Sequence, residues 1–143
     1  LGIEVVGNFS DAEVQTNFHI NDLTNSYVKV KIRVKSISMG TKSRNKKILD
    51  RKYFCEEDYK FIHFTSSKII KNGKGDLYLA GLLKIKGITK EVQIPIKVLE
   101  HEKEIKIRSN FKIRREDFKL GEKELGLSQS AKIVLEFTGT TRT

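Results

Sequence analysis

An all-β fold of short antiparallel strands, wrapped as a sandwich or a barrel, is what this sequence predicts, and two observations carry the prediction. In YVKVKIRVKSI, Tyr27 to Ile37, the residues Val28, Val30, Ile32 and Val34 alternate with Tyr27, Lys29, Lys31, Arg33 and Lys35. A period of two places one apolar and one basic set on opposite faces of a half-buried strand. The same beat recurs in about seven segments, separated by charged or glycine-containing turns at the regular spacing of all-β domains.

Taken in order, EVQTNFHI (Glu13 to Ile20) reads as a strand ahead of Tyr27 to Ile37. The pattern then breaks. SRNKKILDRKYFCEED places Ile48, Leu49, Tyr53 and Phe54 at helical spacing among charges, which predicts a short helix or turn near Asn45 to Cys55, suited to closing one end of a barrel. FIHFTSSKII (Phe61 to Ile70) leads into KNGKGD, where Asn72-Gly73 is expected to supply the positive backbone angles of a tight hairpin. LYLAGLLKIKG (Leu77 to Gly87) and ITKEVQIPIKV (Ile88 to Val98) follow, the second carrying the sole proline, Pro95, which argues for a sheet edge or a bulge there. After the charged turn EHEKE come IKIRSNFKI (Ile105 to Ile113) and SAKIVLEF (Ser130 to Phe137).

Composition bounds the function. The 143 residues make one domain, 1–143, with a full core, and no stretch approaches the roughly 20 apolar residues of a membrane-spanning helix. Net charge is +10, spread along the chain, which suits nucleic acid, anionic lipid or an acidic partner and suits a solvated surface equally. One cysteine, Cys55, leaves no intrachain disulfide to form.

Catalysis has little to stand on. His19, His63 and His101 lie far apart without zinc-type spacing, Cys55 has no recognisable partner, and neither a nucleophile elbow nor a P-loop is present. Acidic pairs such as Glu56-Glu57 and Glu116-Asp117 read as solvated turns. No enzyme, metal or cofactor is expected.

Four stretches in this order, SISMGTKSRNKKILDRKYF, YKFIHFTSSKI, GLLKIKGITKEVQIPI and FKIRREDFKLG, resemble the YceI-like family of polyisoprenoid-binding proteins from about Gly7 to Phe137. The family's arginine-aspartate, histidine-leucine and paired aromatics correspond to Arg44, Asn45, Lys47, Ile48, Tyr53 and Phe54, so Asn45 and Lys47 depart from the usual acid and histidine. Gly87, Thr89, Lys90 and Pro95 match the Gly-Val-Thr-Lys hairpin. Arg115, Asp117 and Phe118 are kept in RREDF, whereas Lys119 stands where glycine is usual.

The resemblance implies an antiparallel, lipocalin-like barrel of about eight strands with a short helix, its first strand missing or truncated because LGIEVVGNF resembles the end of the family's first hairpin. It also implies a long apolar ligand, a polyprenyl chain or isoprenoid quinone, held inside for transport or storage, and a periplasmic or secreted protein whose signal peptide is absent from this chain. On that reading the ligand is lined by Val28, Val30, Ile32, Val34, Phe54, Ile62, Phe64, Leu83, Ile85, Ile94, Ile96, Ile107, Phe111, Ile113, Leu135 and Phe137. Ser36, Arg44 and Ser66 are candidate head-group contacts, with Ser109 on the same inward face, and the alternative of equal weight is that the hydroxyls are satisfied by backbone and Arg44 by a structural salt bridge.

The same side chains would equally fill a solid barrel that serves as a protein-interaction module. Periodicity does not separate a packed interior from a cavity. Leu77 to Leu83 is apolar on both faces, leaving Tyr78, Ala80 and Leu82 outward for the helix or a second subunit to cover, and a homodimer is expected. The outer stripe of Lys29, Lys31, Arg33 and Lys35 suggests transient contact with anionic membrane surfaces. Its rival use, tracking a nucleic acid or other polyanion with Tyr27 stacking on a base, ranks behind lipid binding because aromatics are sparse on that face.

Overall fold

The computed structural model describes residues 3–19, 21–101, 104–121 and 127–140. Among these residues nine strands form one hydrogen-bonded sheet: β1 (Ile3–Phe9), β2 (Ala12–Thr16), β3 (Val28–Arg33), β4 (Ile37–Ser38), β5 (Phe61–Lys71), β6 (Leu77–Ile85), β7 (Ile88–His101), β8 (Glu104–Arg114) and β9 (Leu127–Thr140), with one α-helix, α1 (Lys42–Ile48). Their lateral order is β2-β3-β5-β6-β7-β8-β9-β1-β4. This is a single curled sheet, so the sandwich alternative is set aside.

The two ends of that order belong to one bent hairpin. β2 pairs with β3 from Ala12↔Ile32 to Thr16↔Val28, and β1 pairs with β4 at Asn8↔Ser38 and Phe9↔Ile37. At the corner between them Arg33 N donates to Asp11 O (2.9 Å) and Ser10 N to Ser36 O (3.4 Å). Counting β1–β2 and β3–β4 as one pass each leaves seven passes among the described residues. An odd number of alternating passes brought round to meet itself leaves its first and last running the same way. β1 therefore lies parallel to β9, while every other pairing among the described residues is antiparallel, so the expected antiparallel barrel carries one parallel seam.

Several boundaries also differ from those expected. Tyr27 to Ile37 is not one strand: a 3-10 turn at Val34–Ser36 ends it, and the inward phase passes from Val34 to Ile37. Strand β2 stops at Thr16, short of Ile20, which lies outside the described residues. The helix begins at Lys42 and ends at Ile48, not Cys55. Thr41 caps it, its hydroxyl accepting from Arg44 N at 3.1 Å, and Lys46 and Lys47 stand in its last turn, where cations favour the helix dipole.

In the β5–β6 loop the positive backbone angle belongs to Gly75 (φ 85°), not to Asn72 or Gly73. Asn72 acts through its side chain, whose Oδ1 accepts from Lys74 N and Asp76 N, both at 2.9 Å. The two-residue β6–β7 turn is the tight one, with Lys86 at φ 53° and Gly87 at 76°, the signature of a type I′ hairpin. Pro95 sits where β7 faces β6 alone: the β7–β8 ladder starts one residue later, at Ile96↔Ser109, so the strand is locally an edge.

One glycine is dictated by close approach. β5 bulges between Ser66 and Lys68 opposite Gly81, where a Cβ would lie 2.2 Å from Thr65 O. The core fills the concave side. Val28, Val34, Ile62, Ile85 and Ile107 are all but sealed, and Phe118 and Leu120, from the 3-10 turn Arg115–Phe118 and its exit, close the β8–β9 end.

Candidate apolar cavity and its cationic rim

Of the residues expected to face inward, Val28, Val30, Ile32, Val34, Phe54, Ile62, Phe64, Leu83, Ile85, Ile94, Ile96, Ile107, Phe111, Ile113 and Leu135 are all buried. Phe137 pairs through its backbone with Ile107, and its side chain lies outside the described set. These residues do not surround one tunnel. Most of them, from Val30 and Ile32 round to Phe111 and Leu135, close on a void of only about 20 Å³. Val28, Val34, Ile85 and Ile107 border neither this void nor the larger space beside α1.

The larger space, about 190 Å³, lies beside α1. Gly7 and Phe9 of β1, Ile37 and Met39 around β4, and Arg44, Lys47 and Ile48 of α1 form one side. Tyr53, Phe54, Ile113, Arg115, Leu120, Ala131, Lys132 and Ile133 complete it. Of the expected residues whose side chains are described, only Phe54, Ile113 and Arg44 reach this cavity. Phe9 and Ile133 border both spaces and so partition them. Phe9 meets Phe54 edge-on, with ring centres 6.2 Å apart at 87°.

The local sequence explains this opening. Past Ile48 the chain winds back through Tyr53 N→Asp50 O (2.9 Å) and Phe54 N→Ile48 O (3.1 Å), and Cys55 takes φ 51° to reverse it. This turn swings Phe54 inward while α1 stays at the rim. Asn45 spends its side chain locally, Oδ1 accepting from Met39 N at 2.6 Å. Gly7 lets β1 approach β4, since a Cβ there would come 3.1 Å from Ile37 Cδ1. Arg115 is buried and donates from Nε to Ser128 O (2.8 Å) and from Nη1 to Leu120 O (3.0 Å), tying the 3-10 turn to β9.

The serines have other work. Ser36 and Ser66, candidates for a head-group contact, border neither cavity: Ser36 Oγ donates to Arg33 O (2.7 Å) at the hairpin corner, and Ser66 Oγ accepts from Val28 N (2.8 Å) at the bulge. Buried Ser109 donates to Pro95 O at 2.8 Å, satisfying the carbonyl just outside the β7–β8 ladder. The outer basic stripe is partly engaged within the fold, with Lys31 Nζ 4.1 Å and Arg33 Cζ 5.1 Å from the Phe61 ring and Arg33 Nε 2.9 Å from Asp11.

Sequence reasoning missed Phe9, Ile37, Met39, Leu120, Ala131 and Ile133. A signal existed for two of them. Ala131 and Ile133 share the phase of Leu135 in β9, so alternation alone would have found them. Met39 and Leu120 follow irregular turns, where no period applies.

Comparison with known proteins places this architecture. The family model of the YceI-like domain matches residues 1–140. A UPF0312 protein of Shewanella denitrificans is 27% identical over 90 residues, 63% of this chain and 47% of its own length, so the chain spans about half of that curated relative. The crystal structure of BcnA from Burkholderia cenocepacia superposes with a TM-score of 0.85 at 23% identity, over 94% of this chain and 87% of that one. The YCEI protein of Campylobacter jejuni gives 0.83 at 23%, over 99% and 87%. A domain of Saccharophagus degradans described as polyisoprenoid binding and implicated in plant cell wall breakdown gives 0.52 at 15%, over 66% and 59%. The structural likenesses speak to the fold, a lipocalin-like barrel, and the match along residues 1–140 speaks to descent: this chain belongs to the YceI-like family.

Proposed function

We propose that this protein binds a long isoprenoid lipid, a polyprenyl chain or an isoprenoid quinone, for transport or storage, and that the tail enters beside α1. The observation that carries the reading is the cavity of about 190 Å³ walled by Phe9, Ile37, Met39, Ile48 and Phe54. It exceeds the ~150 Å³ that stays dry and admits benzene in an engineered core. It falls short of the roughly 300 Å³ at which pockets begin to enclose drug-sized ligands. The first units of a tail fill this space, and a longer tail advances toward the inner void when Phe9 and Ile133 turn aside. Affinity comes from apolar surface leaving water, about 25 cal/mol per Å². The description of the Saccharophagus domain as polyisoprenoid binding supports the same assignment.

The reading extends to a binding protein without catalysis, exported to the periplasm or secreted, paired as a homodimer and touching anionic membranes in passing. The test is native mass spectrometry of the purified protein with organic extraction, beside Ala131→Phe, which places a ring in the cavity. A stoichiometric isoprenoid mass that disappears in the variant is expected. A clean apo mass that survives incubation with quinones and polyprenyl lipids overturns the proposal.

A further inference from the structure

Among the described residues, every charged one that borders the cavity is a cation: Arg44, Lys47, Arg115 and Lys132. Among the described residues none of the four is ion-paired, the salt bridges lying elsewhere, such as Arg33 with Asp11 and Lys106 and Arg108 with Glu136. Arg115 is the telling member. It is 6% exposed and its Nε and Nη1 go to two backbone carbonyls; no described side-chain nitrogen is both buried and unpartnered, so the Nη2 of this guanidinium is left accessible rather than sealed in. A guanidinium removed from water without a counter-ion is costly, and an anion beside it relieves that cost. The neutral amide next to Arg44 on α1, that of Asn45, is turned to Met39 N.

From this arrangement we infer that the amphiphile held in the cavity carries a small anionic head group, a carboxylate or a phosphate, set against Arg44, Lys47 and Arg115. The inference rests on the lipid-binding reading of the same cavity and narrows it, because a quinone offers only neutral carbonyl acceptors to these cations. Anionic oxygens form the shorter and stronger charge-assisted bonds, and a guanidinium presents paired donors to them. The apolar wall takes the tail and the rim takes the charge.

The experiment titrates the intact chain with C15 probes of one tail, farnesol, farnesoic acid and farnesyl monophosphate, with inorganic phosphate alongside. At low salt both anionic lipids should bind about tenfold tighter than farnesol, and the gap should narrow as salt screens the rim. Arg44→Gln/Lys47→Gln should close the gap; Arg115 is left in place because it also holds the 3-10 turn to β9. Lys29→Gln/Lys31→Gln, on the outer face, removes the same formal charge and should leave the gap intact. Tighter binding of the acid identifies a fatty-acid-like ligand and tighter binding of the phosphate a prenyl phosphate, either of which sustains the inference.

Equal affinity for the three lipids overturns it while lipid binding stands. So does a gap that persists in the rim variant, since the preference would then belong to the net charge. If no lipid binds, or if inorganic phosphate binds as tightly as farnesyl phosphate, the lipid-binding reading falls and the inference with it.

Discussion

The two halves of the barrel interior are built from the same alternating strands and end in opposite states. Around Val28, Ile62, Ile85 and Ile107 the inward residues interdigitate until almost nothing is left, whereas beside α1 they stand back from about 190 Å³. Composition does not separate them, since both are walled by isoleucine and phenylalanine. The difference lies in what crosses the end. The packed half is spanned by long strands, in continuous register from Leu77↔Ile96 to Ile85↔Ile88 and from Lys29↔Thr65 to Arg33↔Phe61 and broken only by the β5 bulge between Ser66 and Lys68 among the described pairings there. The open half is bounded by the corner of the bent hairpin, the two-residue strand β4, α1 and the 3-10 turn after β8, none of which offers the dense row of side chains that a strand does. Long paired strands make a core, and their replacement by turns and a short helix makes room.

The largest way to break this contrast is at the bulge that curls the packed half. In Gly81→Ala the new methyl meets Thr65 O at 2.2 Å and Ser66 Cα at 2.7 Å, both backbone atoms that cannot swing away. The expected cost exceeds about 4 kcal/mol, or the protein fails to fold. Urea denaturation of the soluble variant measures it, and a change within 1 kcal/mol would mean, to the order of magnitude of such effects, that β5 slips freely past β6.

Next in size is a matched pair. Ile107→Ala, in the sealed half, should lose about 3–5 kcal/mol, because the removed atoms leave a void that rigid neighbours cannot fill. Ile48→Ala, in the cavity wall, should lose about 1–2 kcal/mol, since less of its surroundings is closely packed. Equal losses in denaturation midpoints at constant slope would erase the distinction between the halves.

The same distinction decides what was legible beforehand. Period-two alternation gives the direction of every regular strand residue, so the inward set from Val28 to Leu135 proves buried. Alternation carries no information on whether opposed inward faces touch, because the distance between them is set by strand curvature, bulges and the elements at the barrel ends. The larger cavity is accordingly lined by residues such as Met39, Arg115 and Leu120, which lie at or beyond turns. Ser36 and Ser66 illustrate the complementary ambiguity. A hydroxyl at an inward phase suits a ligand or the backbone equally, and both positions are irregular backbone, where unpaired amides and carbonyls claim the nearest hydroxyl first. The cation cluster was half visible, in Arg44 and in the departure at Lys47; its convergence with Lys132 depends on β9 lying beside β1.

A smaller effect sharpens the account of the open half. Lys119 closes the 3-10 turn after β8 in the left-handed conformation, φ 52° and ψ 41°, at the position where the family usually has glycine. Lys119→Gly should relieve that strain and stabilise the fold by up to about 1 kcal/mol, part of the gain being lost to the freer unfolded chain. A clear destabilisation would instead mean that the lysine side chain contributes more than its backbone costs.

The smallest prediction concerns the outer surface of the packed half. His63, on the solvent face of β5, has its pKa held below the ordinary 6.5, first by partial burial and then by the charges of Lys31 and Lys84. The unfolded chain therefore takes up this proton at a higher pH than the folded one does. The contribution to stability is fully present above the ordinary value and is lost as pH falls through it toward the lower folded-state value. Denaturation midpoints measured between pH 8 and pH 5 should show a slight decline that His63→Gln flattens. Glu136, whose hydrogen bond from Arg108 lowers its pKa, loses its own contribution only in more acid solution. An unchanged slope in His63→Gln would mean that Lys31, drawn over Phe61, and Lys84 are screened too well by solvent to be felt across the strand.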